Sequence, residues 1–288
     1  MGELVQRVVR SLRTRFAGYE WTRVHHGFSG AATYELTGTT GPELYAKVAV
    51  VPQHLGSRSH LGVEAERIRW LSSTGIPGPE LVAAGTETCL STSPTTSPEA
   101  VEVGWLVMTS VPGREASAPW PVHQRVSVID ALADALRALH ALPLEGCPFD
   151  RRLDVRLGQE RAAVEAGVVD EASAAMEPWR WAQDRGALLA ELLRTRPADE
   201  DLVVCHGDYC VPNVLLDPET LEVTGLIDLG WLGVADRYHD LGIATGSIAS
   251  VELNPQYGPG HAARFLERYG GDPDDPRIDY YRRLDELT

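Results

Sequence analysis

The chain has 288 residues, of which 43% are hydrophobic, enough for one large domain or for two lobes that each bury a core. Its formal net charge is −15, from 26 basic and 41 acidic residues. Nucleic acids and anionic membranes attract positive surfaces, so this balance argues against both as partners. A cationic small molecule would be attracted, although acidity also serves solubility alone.

The sequence shows no signal for export or for a membrane. Its N-terminal residues carry charges at Glu3, Arg7, Arg10 and Arg13, where a signal peptide needs an apolar segment. No run approaches the ~18 apolar residues of a membrane span. The four cysteines lack the Cys-x-x-Cys spacing of zinc or redox sites. We therefore expect reduced thiols and a cytoplasmic protein.

The first fifty residues predict one helix followed by three strands. Apolar spacing indicates an amphipathic helix over 5–16, and strands are expected over 21–24, 33–37 and 44–51. The loop before the second strand contains Ser29 and Gly30. These elements favour a β-rich first part of the chain.

Lys47, in the third predicted strand, is the only Lys of the chain, since all other basic residues are Arg. This indicates a position where a compact ammonium is required. A glycine-bearing loop followed by a strand with Lys can hold nucleotide phosphates through backbone N–H groups and the ammonium. Gly27 and Gly30 can equally be simple turn residues, and the single Lys gives the phosphate interpretation its force.

A helix is predicted over 61–73 and carries Glu64 and Glu66. A carboxylate on this helix can pair with the Lys47 ammonium and fix it at the donor phosphates, and the position on the helix favours Glu64. A solvated charged face explains either Glu about equally well.

Two further strands complete the first part. The run 80–84 is β-like and 101–110 is a strand, while the Ser/Thr/Pro-rich residues 86–100 predict a mobile excursion between them. We place a lobe boundary near Gly113, with an N-terminal nucleotide-binding lobe over 1–112 and a C-terminal catalytic and substrate-binding lobe over 113–288.

The second part is predicted to be mainly helical. An apolar stripe over 126–142 indicates its core helix. Glu171 lies in an acidic, tryptophan-containing stretch that suits a polycationic ligand and a solvated helical hairpin about equally. Other helices are expected over 155–166, 241–251, 262–269 and 278–288.

Three polar side chains stand at strand and loop ends between Leu202 and Asp228. Asp208 follows the apolar run 202–205, Asn213 comes five residues later, and Asp228 ends the run 223–227. Phosphoryl transfer to an alcohol needs a carboxylate to take the hydroxyl proton, and hard oxygen ligands for Mg²⁺. Asp208 fits the base, and Asn213 and Asp228 fit the metal ligands. A His-Gly-Asp turn alone is as well explained by loop capping, but the spacing of all three makes chance a poor explanation.

Two nearby residues are expected to have structural roles rather than to contact the substrate. His206 is expected to support the loop. Asp240 is expected either to hold it by hydrogen bonds or to cap the following helix.

The motifs resemble those of the aminoglycoside phosphotransferases, in particular the 3'-phosphotransferases and the streptomycin 3''-phosphotransferase branch. The resemblance implies an α+β, two-lobed protein-kinase-like fold, with a small β-rich N-terminal lobe and a larger helical C-terminal lobe. It also implies Mg²⁺, ATP or GTP as donor, and an antibiotic-inactivating role. It rests on Ser29-Gly30, Leu44 to Lys47, Arg69 to Leu71, Cys147-Pro148, Val204 to Asp208, Thr224 to Gly230, Ala235 to Arg237 and Leu284 to Leu287.

The resemblance assigns roles residue by residue. The catalytic Asp falls on Asp208 and the metal ligands on Asn213 and Asp228. The phosphate-binding Lys falls on Lys47 and the Glu that pairs with it on Glu64. Ser29 and Gly30 of the glycine-bearing loop are further candidates for nucleotide binding. So are Ser110 and Val111, whose backbone groups would meet the nucleotide base at the hinge of a kinase-like fold. The C-terminal acidic pair that contacts the aminoglycoside falls on Asp285 and Glu286. Glu171, because of its acidic and aromatic surroundings, and Trp231, because of its position near the acceptor site, are further candidates for substrate binding.

Two departures concern the acceptor. Trp231 stands where many relatives have Arg, and the chain ends in Thr288 where 3' enzymes usually end in an aromatic. Substrate identity is therefore the open question. We expect a monomer or weak dimer that phosphorylates an aminoglycoside. The alternatives are a kinase for a macrolide, a peptide antibiotic or a metabolite, and a nucleotide-binding pseudokinase.

Overall fold

The computed structural model describes residues 2–24, 30–39, 41–51, 61–90, 100–165 and 184–287. They form two compact units. The described residues of the first unit lie within Met1–Arg69 and Pro79–Ser110, and those of the second within Trp70–Gly78, Val111–Val168 and Trp179–Thr288. The predicted boundary between 112 and 113 stays a prediction.

The first unit is built on a five-stranded antiparallel sheet with the strand order β1-β2-β3-β5-β4. Lys47 lies in β3 opposite Thr33 of β2 and Leu106 of β5, so it occupies the middle of the sheet. The strands are β1 (Tyr19–Arg23), β2 (Ala32–Gly38), β3 (Leu44–Val50), β4 (Leu81–Leu90) and β5 (Ala100–Thr109).

Two helices accompany the sheet, α1 (Gly2–Arg15) and α2 (Leu61–Leu71). The apolar face of α1 contributes Val8, Val9 and Leu12 to one core with the sheet. Burial of this stripe explains the amphipathic pattern, because a surface helix is held mainly by its apolar face. Both helices were predicted, with ends differing by a few residues.

The prediction that residues 86–100 form an excursion outside the sheet is wrong at both ends. β4 continues to Leu90, and Thr86 to Leu90 pair with β5 from Gly104 back to Ala100. Cys89 is buried in the core of the first unit, and Thr and Cys suit a pleated, half-buried surface. The prediction from composition failed because the partners across the sheet, and not the polarity of the segment, decide whether the segment pairs as a strand. Residues 91–99 lie outside the described residues.

The second unit is mainly helical, as predicted. In α3 the stripe of Val128, Ile129, Leu132, Leu136 and Leu139 is buried. The helices are α3 (Val122–His140), α4 (Leu153–Glu165), α5 (Arg185–Arg194), α6 (Arg237–Ala249), α7 (Pro259–Tyr269) and α8 (Pro276–Asp285). Helix α6 packs against α7 and α8, and α3 packs against α7.

Five short strands complete the second unit. They are β6 (Arg114–Glu115), β7 (Leu202–Cys205), β8 (Val214–Leu216), β9 (Val223–Leu226) and β10 (Gly233–Asp236). β7 pairs with β10, and β8 lies between β6 and β9, all antiparallel. The predicted strands at 202–205, 214–216 and 223–227 are present, and β10 was not predicted.

Helix α6 begins at Arg237, four residues before the predicted start. Its N-cap is Asp236, whose side chain accepts a hydrogen bond from the Tyr238 N–H. Asp240 therefore lies inside the first turn and does not cap the helix. Within the described ranges, none of the helices has the length and apolarity that crossing a lipid bilayer would require.

Candidate functional site

The loop between β7 and β8 carries Asp208 and Asn213. A 3-10 turn over Val211–Asn213 ends this loop directly before β8, so both loop ends are tied to strands. The Asn213 amide nitrogen donates to Asp208 Oδ2 and to the Asp208 carbonyl, both at 2.9 Å. The five-residue spacing noticed in the sequence thus closes into a direct contact. Tyr209 fixes the loop to α3, because its hydroxyl donates to the Leu132 carbonyl at 2.8 Å.

His206 connects this loop to the end of β9. Its Nε2 lies 2.9 Å from the Ile227 carbonyl oxygen, and the Asp208 N–H lies 3.3 Å from its Nδ1. Both bonds form when Nε2 carries the proton and Nδ1 accepts. Burial lowers the pKa of His206, which favours this neutral form. His206 therefore supports the loop, as expected, and spans from Asp208 to the residue before Asp228.

Asp228 begins a 3-10 turn after β9 with φ 59° and ψ 58°. This left-handed backbone is uncommon for a residue other than Gly, and such strain is found where a side chain is held for function. The Ile227 N–H donates to the Asn213 carbonyl at 3.0 Å. The backbone thus ties the segment of Asp228 to that of Asn213.

Asn213 is buried, whereas Asp208 and Asp228 are half-buried, and the charge of Asp228 acts on Asp208. Burial and the charges of Asp228 and Asp285 raise the pKa of Asp208 from its ordinary value to about 7, against the lowering effect of the Asn213 hydrogen bond. Both of these charges belong to carboxylates, which disfavour the ionised form of Asp208. Asp208 keeps part of its surface exposed, as a group that meets a substrate must.

This donor set fits a divalent cation. Carboxylate and amide oxygens are the ligands that Mg²⁺ accepts, and a cation would offset the charge that raises the pKa of Asp208. The two hydrogen bonds of the Asn213 amide nitrogen direct its Oδ1 away from Asp208. Asn213 and Asp228 are therefore the residues that would hold the ion. Their roles as metal ligands stay predictions.

Asp240 holds the start of the loop. Its Oδ2 accepts from the His206 N–H at 2.7 Å and its Oδ1 from the Gly207 N–H at 2.8 Å. His140 Nε2 lies 3.0 Å from Oδ2, and the Tyr269 hydroxyl lies 2.7 Å from His140 Nδ1. Burial alone would raise the pKa of Asp240, but the hydrogen bond and charge of His140 outweigh it and lower that pKa. Of the two predicted roles, Asp240 has the supporting one.

Gly207 allows the loop to pass close to the segment after Asp228. Its φ is +83°, and a side-chain carbon there would make a hard contact with the Trp231 carbonyl oxygen. Both the backbone angle and the close approach require glycine.

The residues that were predicted to bind the acceptor substrate lie in different parts of the structure. The charge of Asp285, at the end of α8, acts on Asp208, so these carboxylates belong to one acidic group. Glu286, the next residue, is the C-cap of α8. The ring of Trp231 lies beside two buried guanidinium groups, 4.4 Å from Arg151 and 5.4 Å from Arg156. The sequence did not indicate these arginines. Glu171 lies outside the described residues.

The predicted nucleotide residues belong mainly to the first unit. Lys47 Nζ lies 2.7 Å from Glu64 Oε1, and both side chains are buried, whereas Glu66 is exposed. This is the pairing expected from the sequence. Gly30 is exposed beside β2, and Ser29 lies outside the described residues. The binding of nucleotide by these residues stays a prediction.

Ser110 and Val111 follow β5, where a base was expected to meet backbone groups. The Ser110 N–H donates to the Glu43 carbonyl at 2.8 Å, so this N–H already has an acceptor within the fold. The Val111 side chain is buried. Both assignments stay predictions.

The fold and the arrangement of these side chains define a kinase-like phosphotransferase. Residues 20–287 match the model described as "Phosphotransferase enzyme family". The chain belongs to this family.

Known relatives agree over nearly the whole length. The chain is 45% identical over 281 residues to an aminoglycoside 3'-phosphotransferase of Streptomyces fradiae. The alignment covers 96% of this chain and 98% of the relative. A crystal structure of an aminoglycoside-3'-phosphotransferase of type VIII matches with a TM-score of 0.81 and 46% identity, covering 99% of each chain. An aminoglycoside phosphotransferase from Streptomyces rimosus, solved with ADP and streptomycin, matches with a TM-score of 0.72 and 29% identity, covering 99% of this chain and 98% of that chain.

These comparisons bear on the predictions from sequence. The predicted family and the predicted class of enzyme are confirmed. The α+β kinase-like fold, with β-rich N-terminal and helical C-terminal parts, is confirmed as well. The roles of the individual site residues stay predictions.

Proposed function

We propose that this protein transfers the γ-phosphate of a nucleoside triphosphate to a hydroxyl group of an aminoglycoside and so confers resistance to that antibiotic. The observation that carries the proposal is the contact of Asp208 with Asn213, together with the charge of Asp228 that acts on Asp208, because these residues combine a proton acceptor with hard oxygen ligands. Relatives named as aminoglycoside phosphotransferases cover almost the whole chain and support the acceptor class. The Streptomyces rimosus structure with ADP supports a nucleotide donor.

Each residue has a definite task in this proposal. Asp208 orients the acceptor hydroxyl and takes its proton, and the pKa of about 7 suits a base that works near neutral pH. Asn213 and Asp228 would hold Mg²⁺, which would offset the phosphate charge. Lys47, fixed by Glu64, holds the donor phosphates. Because the transition state of phosphoryl transfer is loose, positioning and charge stabilisation supply most of the rate.

The acceptor is recognised by charge. Aminoglycosides carry several ammonium groups, and the negative charges of Asp228 and Asp285 act on Asp208 in this site. The net charge of −15 attracts such a cation and favours a protein with neither nucleic acid nor membrane as partner. We propose a cytoplasmic monomer or weak dimer, with an N-terminal nucleotide-binding lobe over 1–112 and a catalytic lobe over 113–288.

The test is phosphate transfer to a panel of aminoglycosides from γ-labelled ATP and, separately, GTP with Mg²⁺. We expect labelled product with at least one aminoglycoside, and NMR of that product identifies the hydroxyl. Asp208→Ala should abolish transfer while the fold is kept. Asp134→Ala, a carboxylate on the outer face of α3 paired with Arg268, is the matched control and should retain activity. Near-normal turnover by Asp208→Ala would contradict the assignment.

The panel also separates the alternatives. A kinase for another alcohol would label a macrolide, a peptide antibiotic or a metabolite such as choline or homoserine, and none of the aminoglycosides. A pseudokinase would bind nucleotide and give no Mg²⁺-dependent product with any acceptor.

A further inference from the structure

Helix α6 contacts the catalytic loop, defined here as residues 206–213, at two separate points. Asp240 binds the N–H groups of His206 and Gly207 at its beginning. Ser247 Oγ accepts a hydrogen bond from the Val211 N–H at 3.1 Å near its end. Residues seven apart lie on the same face of a helix, two turns from each other. One rigid helix therefore supports both ends of the loop.

The second contact acts on the turn that presents Asn213. Val211 is the first residue of the 3-10 turn Val211–Asn213. Pro212, the next residue, has no N–H. The Asn213 N–H is used locally by the Cys210 carbonyl at 3.1 Å. The Val211 N–H is thus the one backbone donor of this turn that reaches α6, among the contacts of the described residues.

Ser247 is itself held in place. The Asn254 amide nitrogen donates to the Ser247 carbonyl at 2.9 Å and lies 3.4 Å from Ser247 Oγ. Asn254 is 2% exposed, and its own N–H donates to the Ser250 carbonyl at 2.8 Å. The buried Asn254 amide restricts the position of Ser247, because buried polar groups need defined hydrogen-bond partners. Val211, Ser247 and Asn254 form a continuous chain of hydrogen bonds.

We propose that Ser247, held by Asn254, is a positioning residue for the cation site: it sets Asn213, while Asp240 sets Asp208. The inference rests on the proposed function, since it concerns the same site. Under this proposal two residues of α6 position two different parts of the catalytic loop. Loss of the Ser247 hydroxyl should weaken the part of nucleotide binding that depends on Mg²⁺, and should leave nucleotide binding without Mg²⁺ and the acceptor KM unchanged.

The experiment measures ADP affinity by calorimetry with Mg²⁺ and, separately, with a chelator. The ratio of the two affinities is the gain due to Mg²⁺. We expect Ser247→Ala to reduce this gain about three- to tenfold, the equivalent of one hydrogen bond. Ser247→Thr keeps the hydroxyl and should restore most of the gain.

The matched control is Ser250→Ala. Ser250 Oγ accepts from the Leu253 N–H at 3.3 Å, so this variant also removes one serine acceptor near the end of α6, without touching the catalytic loop. We expect its gain due to Mg²⁺ to equal that of the wild type. If Ser247→Ala does not fold, Ser247→Cys keeps the size of the side chain with a weaker acceptor and should show a reduced gain.

The outcomes are distinct. A wild-type protein that binds ADP equally with and without Mg²⁺ would overturn the proposed metal site, and this inference with it. A normal gain in the wild type and an unchanged gain in folded Ser247→Ala or Ser247→Cys would overturn the inference alone. Equal weakening of both affinities, or an increased acceptor KM, would show a general structural role and also overturn it.

Discussion

Replacing Asp240 with Asn should damage both stability and turnover, although the two side chains have nearly the same shape. The Asp240 carboxylate is fully buried and accepts from two backbone N–H groups, of His206 and Gly207, one on each oxygen. Asn has one acceptor oxygen and a donor NH₂ group in place of the other. Whichever way the amide lies, one of these N–H groups faces another donor.

The magnitude follows from these contacts. A hydrogen bond to a charged group contributes ~1.5–3 kcal/mol, and a buried N–H left without an acceptor costs ~1–3 kcal/mol. Removal of a buried charge recovers part of this through lower desolvation cost. We expect a net loss of about 2–4 kcal/mol in the free energy of unfolding. Because a displacement of ~1 Å at a reacting group can cost ~100-fold in rate, kcat should fall at least about tenfold.

Urea unfolding followed by circular dichroism measures the first quantity, and steady-state phosphate transfer measures the second. Asp134→Asn is the matched control, because the Asp134 carboxylate also accepts two hydrogen bonds, from Arg268, but on the surface. Its loss should cost no more than about 1 kcal/mol. If Asp240→Asn loses no more stability than this control and keeps its kcat within about twofold, the supporting role of Asp240 is refuted.

Three further predictions concern other parts of the molecule. Glu64→Gln gives the buried Lys47 ammonium a neutral partner and should lower the free energy of unfolding by about 1–3 kcal/mol, measured by urea unfolding; an unchanged midpoint would contradict this. Gly207→Ala combines a left-handed φ with a contact against the Trp231 carbonyl, so thermal unfolding should show a loss of at least ~2 kcal/mol, and a wild-type melting temperature would rule it out. In the free protein Asp208 holds its proton up to about pH 7, and a bound cation favours the ionised form. The affinity for Mg²⁺·ADP should therefore rise from pH 6 to pH 8, and Asp208→Asn should flatten this rise when it is measured by calorimetry. If the affinities of Asp208→Asn and the wild type rise in parallel with pH, the prediction is refuted.

The parts of the site that could be predicted are those in which sequence separation is short. Asp208 and Asn213 are five residues apart, and a single loop between two short strands brings them into contact. Lys47 and Glu64 are 17 residues apart and join a strand to the next helix. In these cases the residue types are distinctive and their spacing fits two neighbouring elements, so the sequence carries the information.

The missed features depend on partners that the residue types themselves do not indicate. Thr86 to Leu90 form a strand because β5 offers a complementary edge, which local composition does not reveal. Ser247 binds Val211 across 36 residues, and Arg151 reaches Trp231 across a larger separation. A serine or an arginine gives no local signal of such a role, since both residue types are common on ordinary surfaces.

The amino-acid sequence alone determined the chemistry that this protein can perform, because proton acceptors, oxygen ligands and a single ammonium occur at spacings that short loops and strands convert into fixed geometry. Only the tertiary structure decided which residues hold that chemistry in place, namely Asp240, His140 and Ser247, and how strongly neighbouring charges act on Asp208. The physical reason is that hydrogen bonds and charge interactions act over a few ångströms. Packing of helices and strands chooses which distant residues come within that range.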